Sequence, residues 1–159
     1  MKSNVKKTNA ARLLDKHAVS YELVPYQVDE QHLEASHVAQ SLGEDIRQVF
    51  KTIVMQGDKE RYFVCVVPGD KEINLKLAAK ESGHKKCDTL PLKALLTLTG
   101  YIRGGCSPLC MKKQYPTYID ESALNWDTIY VSAGVRGLQL KLSPKDLSNE
   151  CQASFVKLV

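Results

Sequence analysis

The sequence lacks the features that would place it in a membrane or in a secreted scaffold. No run of apolar residues approaches the roughly 20 needed to cross a bilayer. Residues 1–17, MKSNVKKTNAARLLDKH, contain no apolar segment of the kind a signal peptide requires. Cysteine occurs five times (Cys65, Cys87, Cys106, Cys110, Cys151), an odd number at irregular spacing. That pattern argues against a disulfide framework and for reduced thiols. These absences together predict a cytoplasmic protein. Internal repeats, low-complexity segments and Pro/Gly/Ser linkers are also missing, and so are the Walker, Rossmann and G-x-S-x-G patterns. GYIRGG lacks the strand–turn–helix context that a dinucleotide loop needs.

What is there fits one globular unit. The 159 residues are 43% hydrophobic and 25% charged, enough to bury a core within a single domain spanning 1–159. The net charge of +4 hides an uneven distribution. Residues 21–50 carry one basic and six acidic side chains, whereas residues 71–113 carry nine basic and three acidic ones. Such a split gives either a positive face for a polyanion or an ordinary solvated surface.

The hydrophobic spacing predicts short elements of both kinds. Thr8 to His17 reads as a helix with Ala11, Leu14 and Ala18 on one face and Thr8 or Asn9 as its cap. SYELVPY is a strand stopped by Pro25, and HLEASHVAQSLG a helix spaced by Leu33, Val38 and Leu42 with Gly43 as C-cap. FKTIVMQ and RYFVCVVP form a hairpin across GDKE. EINLKLAAKESG is a helix ending at Gly83, and PLKALLTLTG another with Pro91 in its first turn. YPTYID, DTIYVSAG and GLQLKL read as strands, the last two joined by SAGVRG. SPKDLSNE is a helix capped at Ser143, and ASFVKLV a terminal strand. Strands interrupted by helices without a βαβ rhythm predict an α+β fold: a curved mixed sheet, barrel-like at its core, with helices packed outside.

The stretch LTGYIRGGCSPLCMKK, residues 98–113, combines three glycines, an arginine, a proline and two cysteines. It suits a phosphate cradle, a metal site, a nucleophilic cysteine or a plain corner. For metal, Cys106 and Cys110 lie four apart and His84 and Cys87 three apart, a poor match to the tighter paired spacings of structural zinc. For a nucleophile, Cys106 has Arg103 nearby, but all four histidines precede the loop in plain contexts. The structural reading, a small buried residue under a tight turn, is favoured. Asp120 and Glu121 follow a strand, where Asp120 serves as readily as an N-cap for ESALN. Glycines allow main-chain N–H groups to approach an anion, and both GYIRGGCSP and SAGVRG pair glycines with an arginine and a hydroxyl. Lys51 in QVFKTIV sits among apolar residues, so it either reaches solvent or points into a pocket to meet a ligand.

The blocks VFKTIV, LTGYIRGGCSPLCMKK, YPTYIDES and IYVSAGVRGLQLKLSPKDL, in this order, closely resemble the YbaK/EbsC family. Within it the chain is similar to the Cys-tRNA(Pro) deacylases, relatives of the editing domain of prolyl-tRNA synthetases. The resemblance runs from about Thr8 to the C-terminus and implies a compact α+β domain that needs no metal or cofactor. It implies action in trans on cysteine mischarged onto tRNA(Pro), with the acceptor end and prolyl-tRNA synthetase as partners, and neither membrane nor DNA. By the same resemblance Lys51 is the residue on which catalysis depends, placed to hold the 3′ end with Thr52 beside it. Tyr26, Gly104, Ser132 and Arg136 are implied to line the pocket. The family mechanism is substrate-assisted: the substrate's own thiol attacks its ester, which accounts for the missing protein nucleophile.

Two positions depart from the family pattern. Val135 stands where lysine or arginine is usual and removes a cation near the pocket; Cys110 stands where glycine is common, so a positive φ is not expected there. Two alternatives remain beside this reading: an Ala-tRNA(Pro) deacylase of the same fold, and a non-enzymatic module binding the acceptor end or the synthetase.

Overall fold

The computed structural model describes residues 6–159; residues 1–5 of the expected 1–159 domain lie outside the described part. In chain order the elements are α1 (Asn9–Lys16), β1 (Tyr21–Pro25), α2 (Ala35–Leu42), β2 (Phe50–Gln56), β3 (Tyr62–Pro68), α3 (Leu75–Ser82), β4 (Asp88–Thr89), α4 (Leu95–Thr99), β5 (Thr117–Asp120), β6 (Ile129–Ser132), β7 (Leu138–Leu142), α5 (Pro144–Cys151) and β8 (Ser154–Val156). Helix ends fall where the chain supplies a cap. Thr8 Oγ1 accepts from Ala11 N–H, Ser143 Oγ from Asp146 N–H, and Gly43 and Gly83 close α2 and α3 in the left-handed region.

Several local expectations need correction. Ala18 lies beyond α1 at φ 57°, exposed rather than on its buried face. The helix before Gly83 starts only at Leu75, because Asn74 Oδ1 accepts from Leu77 N–H at 3.1 Å. Pro91 precedes a 3-10 turn, Leu92–Ala94, so α4 is a single short turn. The β2–β3 connection takes in Arg61 as well as GDKE, since β3 starts at Tyr62, and it carries Lys59 and Glu60 at φ 55° and 56°.

The strands make two sheets. One is antiparallel, in the order β1–β7–β6; the other is mixed, in the order β4–β2–β3–β5–β8. In the mixed sheet β3 is antiparallel to β2 and parallel to β5, which is parallel to β8. The two sheets meet at one isolated parallel bridge, Val49 to Tyr130. The α+β class and mixed sheet agree with expectation, but the described strands do not close into a barrel.

Side-chain alternation explains the layering. Leu138, Leu140 and Leu142 point from β7 into a core shared with Ala10, Ala11 and Leu14 of α1 and Leu147 of α5. Each buried leucine there contributes about 2 kcal/mol. The opposite face of this sheet carries α2, whose Val38 and Ala39 pack on Val49 and Tyr130. β3 is buried from Phe63 through Pro68, as a central strand covered on both faces must be. Asp120, 2% exposed, ties the end of β5 to the C-terminal segment: its carboxylate accepts from Leu158 N–H at 2.8 Å and Ser122 N–H at 3.1 Å. The capping reading of Asp120 therefore holds.

Candidate active site

The site follows from the way the two sheets part. Val49, just before β2, bridges Tyr130 of β6, and β2 itself forms no ladder with β6. On its other edge β2 is bonded to β3 throughout, whereas β4 reaches it only at Met55 and Gln56. Peptide groups alternate in direction along an antiparallel strand. The bonds Gly69 N–H to Val49 C=O (2.8 Å) and Leu90 N–H to Val54 C=O (2.9 Å) fix that alternation. The peptide groups of Thr52 consequently face the open edge, away from β3.

A cavity of about 220 Å³ lies round this edge. Lys51, Thr52 and Ile53 line it from β2, Ser132 from β6, Gln139 from β7, and Gly104 and Cys106 from the loop after α4. Leu33, Glu34, Ala35 and Val38 cover it from the segment entering α2. Successive strand residues point to opposite faces, so Lys51 and Thr52 share one cavity only because the strand edge between them is open.

Lys51 is half-buried, with 29% of its side chain exposed. Its nearest carboxylate is Glu72 Oε1 at 4.0 Å, on a side chain 98% exposed, a pairing too solvated to hold the ammonium. Thr52 Oγ1 and Gln139 Oε1 are buried and find no hydrogen-bond partner among the described residues. A buried acceptor without a partner costs about 1–3 kcal/mol, so two in one cavity point to a ligand that supplies donors. Ser132 Oγ accepts from Gly134 N–H at 3.2 Å and has no base beside it among the described residues.

The loop wall is more enclosed than its glycines suggest, because Gly105 to Leu109 are buried. A Cβ on Gly105 would stand 3.1 Å from Arg136 N and 3.2 Å from Val135 C, so the loop and the SAGVRG turn pack backbone on backbone. Gly104 has φ 82°, and a Cβ there would meet Leu33 Cδ2 at 3.1 Å. Tyr101 O–H donates to Leu109 C=O at 2.5 Å, and Lys112 N–H to Thr99 C=O at 3.0 Å, closing the loop on α4. The expectation for Cys110 is overturned: it adopts φ 60°, the left-handed conformation that glycine would take without strain.

Of the residues implied for the pocket, Lys51, Thr52, Gly104 and Ser132 come together in this cavity. Arg136 stands behind its wall, where Nε donates to Arg103 C=O at 2.9 Å. Tyr26 does not line the cavity; it packs against the Val38–Val49–Tyr130 cluster beneath α2. Sequence reasoning missed Gln139, which alternation with three core leucines made look like a solvent-facing strand residue. It also missed Glu34 and Leu33, which reach the cavity only through the fold.

Burial pushes the thiols of Cys65, Cys106 and Cys151 up to about 12, and raises those of Cys87 and Cys110. No cysteine is an activated thiolate near neutral pH. His84 is structural: its ring stacks on Phe63, and Nδ1 accepts from Asp58 N–H at 3.0 Å. Among the described residues no three His, Cys, Asp or Glu side chains gather as metal ligands.

Residues 29–149 match the sequence profile of the aminoacyl-tRNA editing domain. The chain belongs to that family. The editing domain is 45% identical to an Enterococcus faecalis protein provisionally named Cys-tRNA(Pro)/Cys-tRNA(Cys) deacylase EbsC, over 99% of this chain and 96% of that one. It is 27% identical to the uncharacterized YwhH of Bacillus subtilis, over 76% and 74% of the two chains. Its fold matches a crystal structure described, provisionally, as a trans-editing enzyme for prolyl tRNA synthetase, with a TM-score of 0.80 at 22% identity and coverage of 96% and 98%. The editing domain is an enzyme acting on the ester of aminoacyl-tRNA. No helix among its described residues is long and apolar enough to cross a membrane.

Proposed function

We propose that this editing domain removes cysteine mischarged onto tRNA(Pro), acting in trans and using the substrate's own thiol. The observation that carries the reading is a cavity with a loosely paired cation and unpartnered polar atoms but no activated nucleophile. The attacking atom must then come from the substrate or from water. In the first case the substrate Sγ bonds to the ester carbonyl carbon and the bond to the ribose oxygen breaks. The thiol proton ends on that oxygen, releasing tRNA and a thiolactone. Intramolecular attack gains the effective-molarity advantage of a positioned reaction.

The protein's part is binding and charge stabilisation. Lys51 holds the 3′ end and the developing negative charge, and Thr52 Oγ1 with its open-edge peptide fixes the ribose. Ser132 and Gly104 shape the far wall, which Arg136 braces through Arg103, while Tyr26 supports the cover under α2. Selection of tRNA(Pro) is borrowed from prolyl-tRNA synthetase.

Rates on Cys-tRNA(Pro), Ser-tRNA(Pro), Ala-tRNA(Pro) and S-methylated Cys-tRNA(Pro) test the mechanism. The free thiol should be cleaved at least a hundredfold faster, because a hydroxyl is a far weaker nucleophile than a partly ionised thiol. Comparable rates on all four would mean that water attacks, and preference for alanine would move the assignment to the alternative substrate. Cys106→Ser should keep most of the activity; its loss in a stable protein would return Cys106 to the role of nucleophile.

A further inference from the structure

The cavity shares its loop wall with a second, larger depression that the editing chemistry does not use. About 630 Å³ in volume, it lies between the start of α1 and the far sides of the same two loops. Ser132, Gly104 and Cys106 face the first cavity; Gly100, Tyr101, Ala133, Gly134 and Val135 face the second. Adjacent residues, Ser132 and Ala133, thus line the two depressions from opposite sides.

Lys6, Lys7, Arg12 and Lys112 line this groove, and no carboxylate does. Lys7 Nζ is engaged by Asp15 Oδ2 at 2.6 Å, which offsets part of its charge. Among the described residues the Arg12 guanidinium donates to the neutral Asn9 Oδ1 at 2.9 Å and to no carboxylate, and Lys112 makes no ion pair. Cations from two distant parts of the sequence thus converge, Lys7 alone with a carboxylate partner among the described residues, on a floor rich in small residues. Flexible lysines and an arginine along a groove suit a phosphate backbone, where contacts position the chain without reading its sequence.

We propose that this groove carries the phosphate backbone of the tRNA acceptor stem, with Arg12 and Lys112 as its principal contacts. The proposal rests on the editing reading: a 3′ end seated beside Lys51 lies across the Ser132–Ala133 wall from this groove. It also gives Val135 a place: 47% exposed at the groove's edge, it leaves phosphate contact to α1 and Lys112 instead of the turn itself.

The test uses the full chain and Arg12→Ala/Lys112→Ala. Binding of uncharged tRNA(Pro), followed by fluorescence anisotropy across a salt series, should weaken at least tenfold at low salt. The slope of log K against log salt should become shallower by about 1.5, as expected for two lost phosphate contacts. A cysteinyl ester of adenosine, too short to enter the groove, should be cleaved within about twofold of the wild-type rate. Unchanged affinity and slope would overturn the proposal, as would an equal loss on the short ester. So would a larger loss of tRNA binding from Arg47→Ala/Lys71→Ala, at a recess elsewhere. Weakened binding of prolyl-tRNA synthetase with tRNA affinity intact would assign the groove to an acidic protein surface and overturn it too. Salt-dependent tRNA binding that needs Arg12 and Lys112, in a protein that cleaves no aminoacyl ester, would uphold the groove while the editing reading fails.

Discussion

The two walls of the cavity work by opposite means. The β2 wall acts through side chains and an open edge: a loosely paired lysine, an unpartnered threonine hydroxyl, and peptide groups left free where β4 stops short. The loop wall acts through shape. Gly105 brings one backbone against another so closely that a side chain there would force its neighbours to give by a few tenths of an ångström, and Cys106 beside it is buried with its thiol pushed up by desolvation. Changes in the first wall should therefore alter the reaction and spare the fold, while changes in the second should do the reverse.

Lys51→Ala is the sharpest way to break that contrast. It should lower kcat/KM by about 10²–10³, the range for losing one preorganised charge-stabilising donor, with Tm unchanged. Near-normal turnover in the folded variant would remove Lys51 from the chemistry. Gly105→Ala should cost about 2 kcal/mol of stability through overpacking against Val135 and Arg136, measured by denaturant unfolding. A variant as stable as wild type would show that the loop wall yields. Thr52→Val keeps the side-chain shape and removes a hydroxyl without a partner. Stability should hold or rise, and kcat/KM should fall about tenfold, the worth of one hydrogen bond to substrate; unchanged kinetics would show that Thr52 makes none. Smallest is Cys110→Gly, which relieves a left-handed conformation and should stabilise by about 1 kcal/mol at unchanged activity. A loss of stability there would mean that the contacts of the Cys110 side chain outweigh its strain.

Local signals read well and convergence did not. Capping groups at Thr8, Gly43, Gly83 and Ser143, the β2–β3 hairpin and the leucine alternation of β7 depend on neighbours in the chain, and all appear where their residues predict. The motif blocks located Lys51, Thr52, Gly104 and Ser132. What could not be read is how β2, β6 and the loop after α4 meet, because one bridge between strands about 80 residues apart decides it. Gln139 illustrates the limit: its place in the alternation gives the correct face, but only α2 lying across that face makes it interior. The glycine-rich stretch misled in the other direction, since a loop that looked bare is largely buried by its own turn-to-turn packing.

The bare stretch of β2 also bears on solubility. Unpaired peptide groups at a sheet edge are a template onto which a strand of another chain can add, the usual first step toward aggregation. Here the open run is only a few residues long and no more than half-exposed, covered by Leu33 and Ala35 on one side and flanked by a lysine. Charged edge residues, lysine above all, are how natural sheets discourage such pairing. A lysine at this place therefore guards the edge against a neighbouring strand whether or not a ligand fills the cavity.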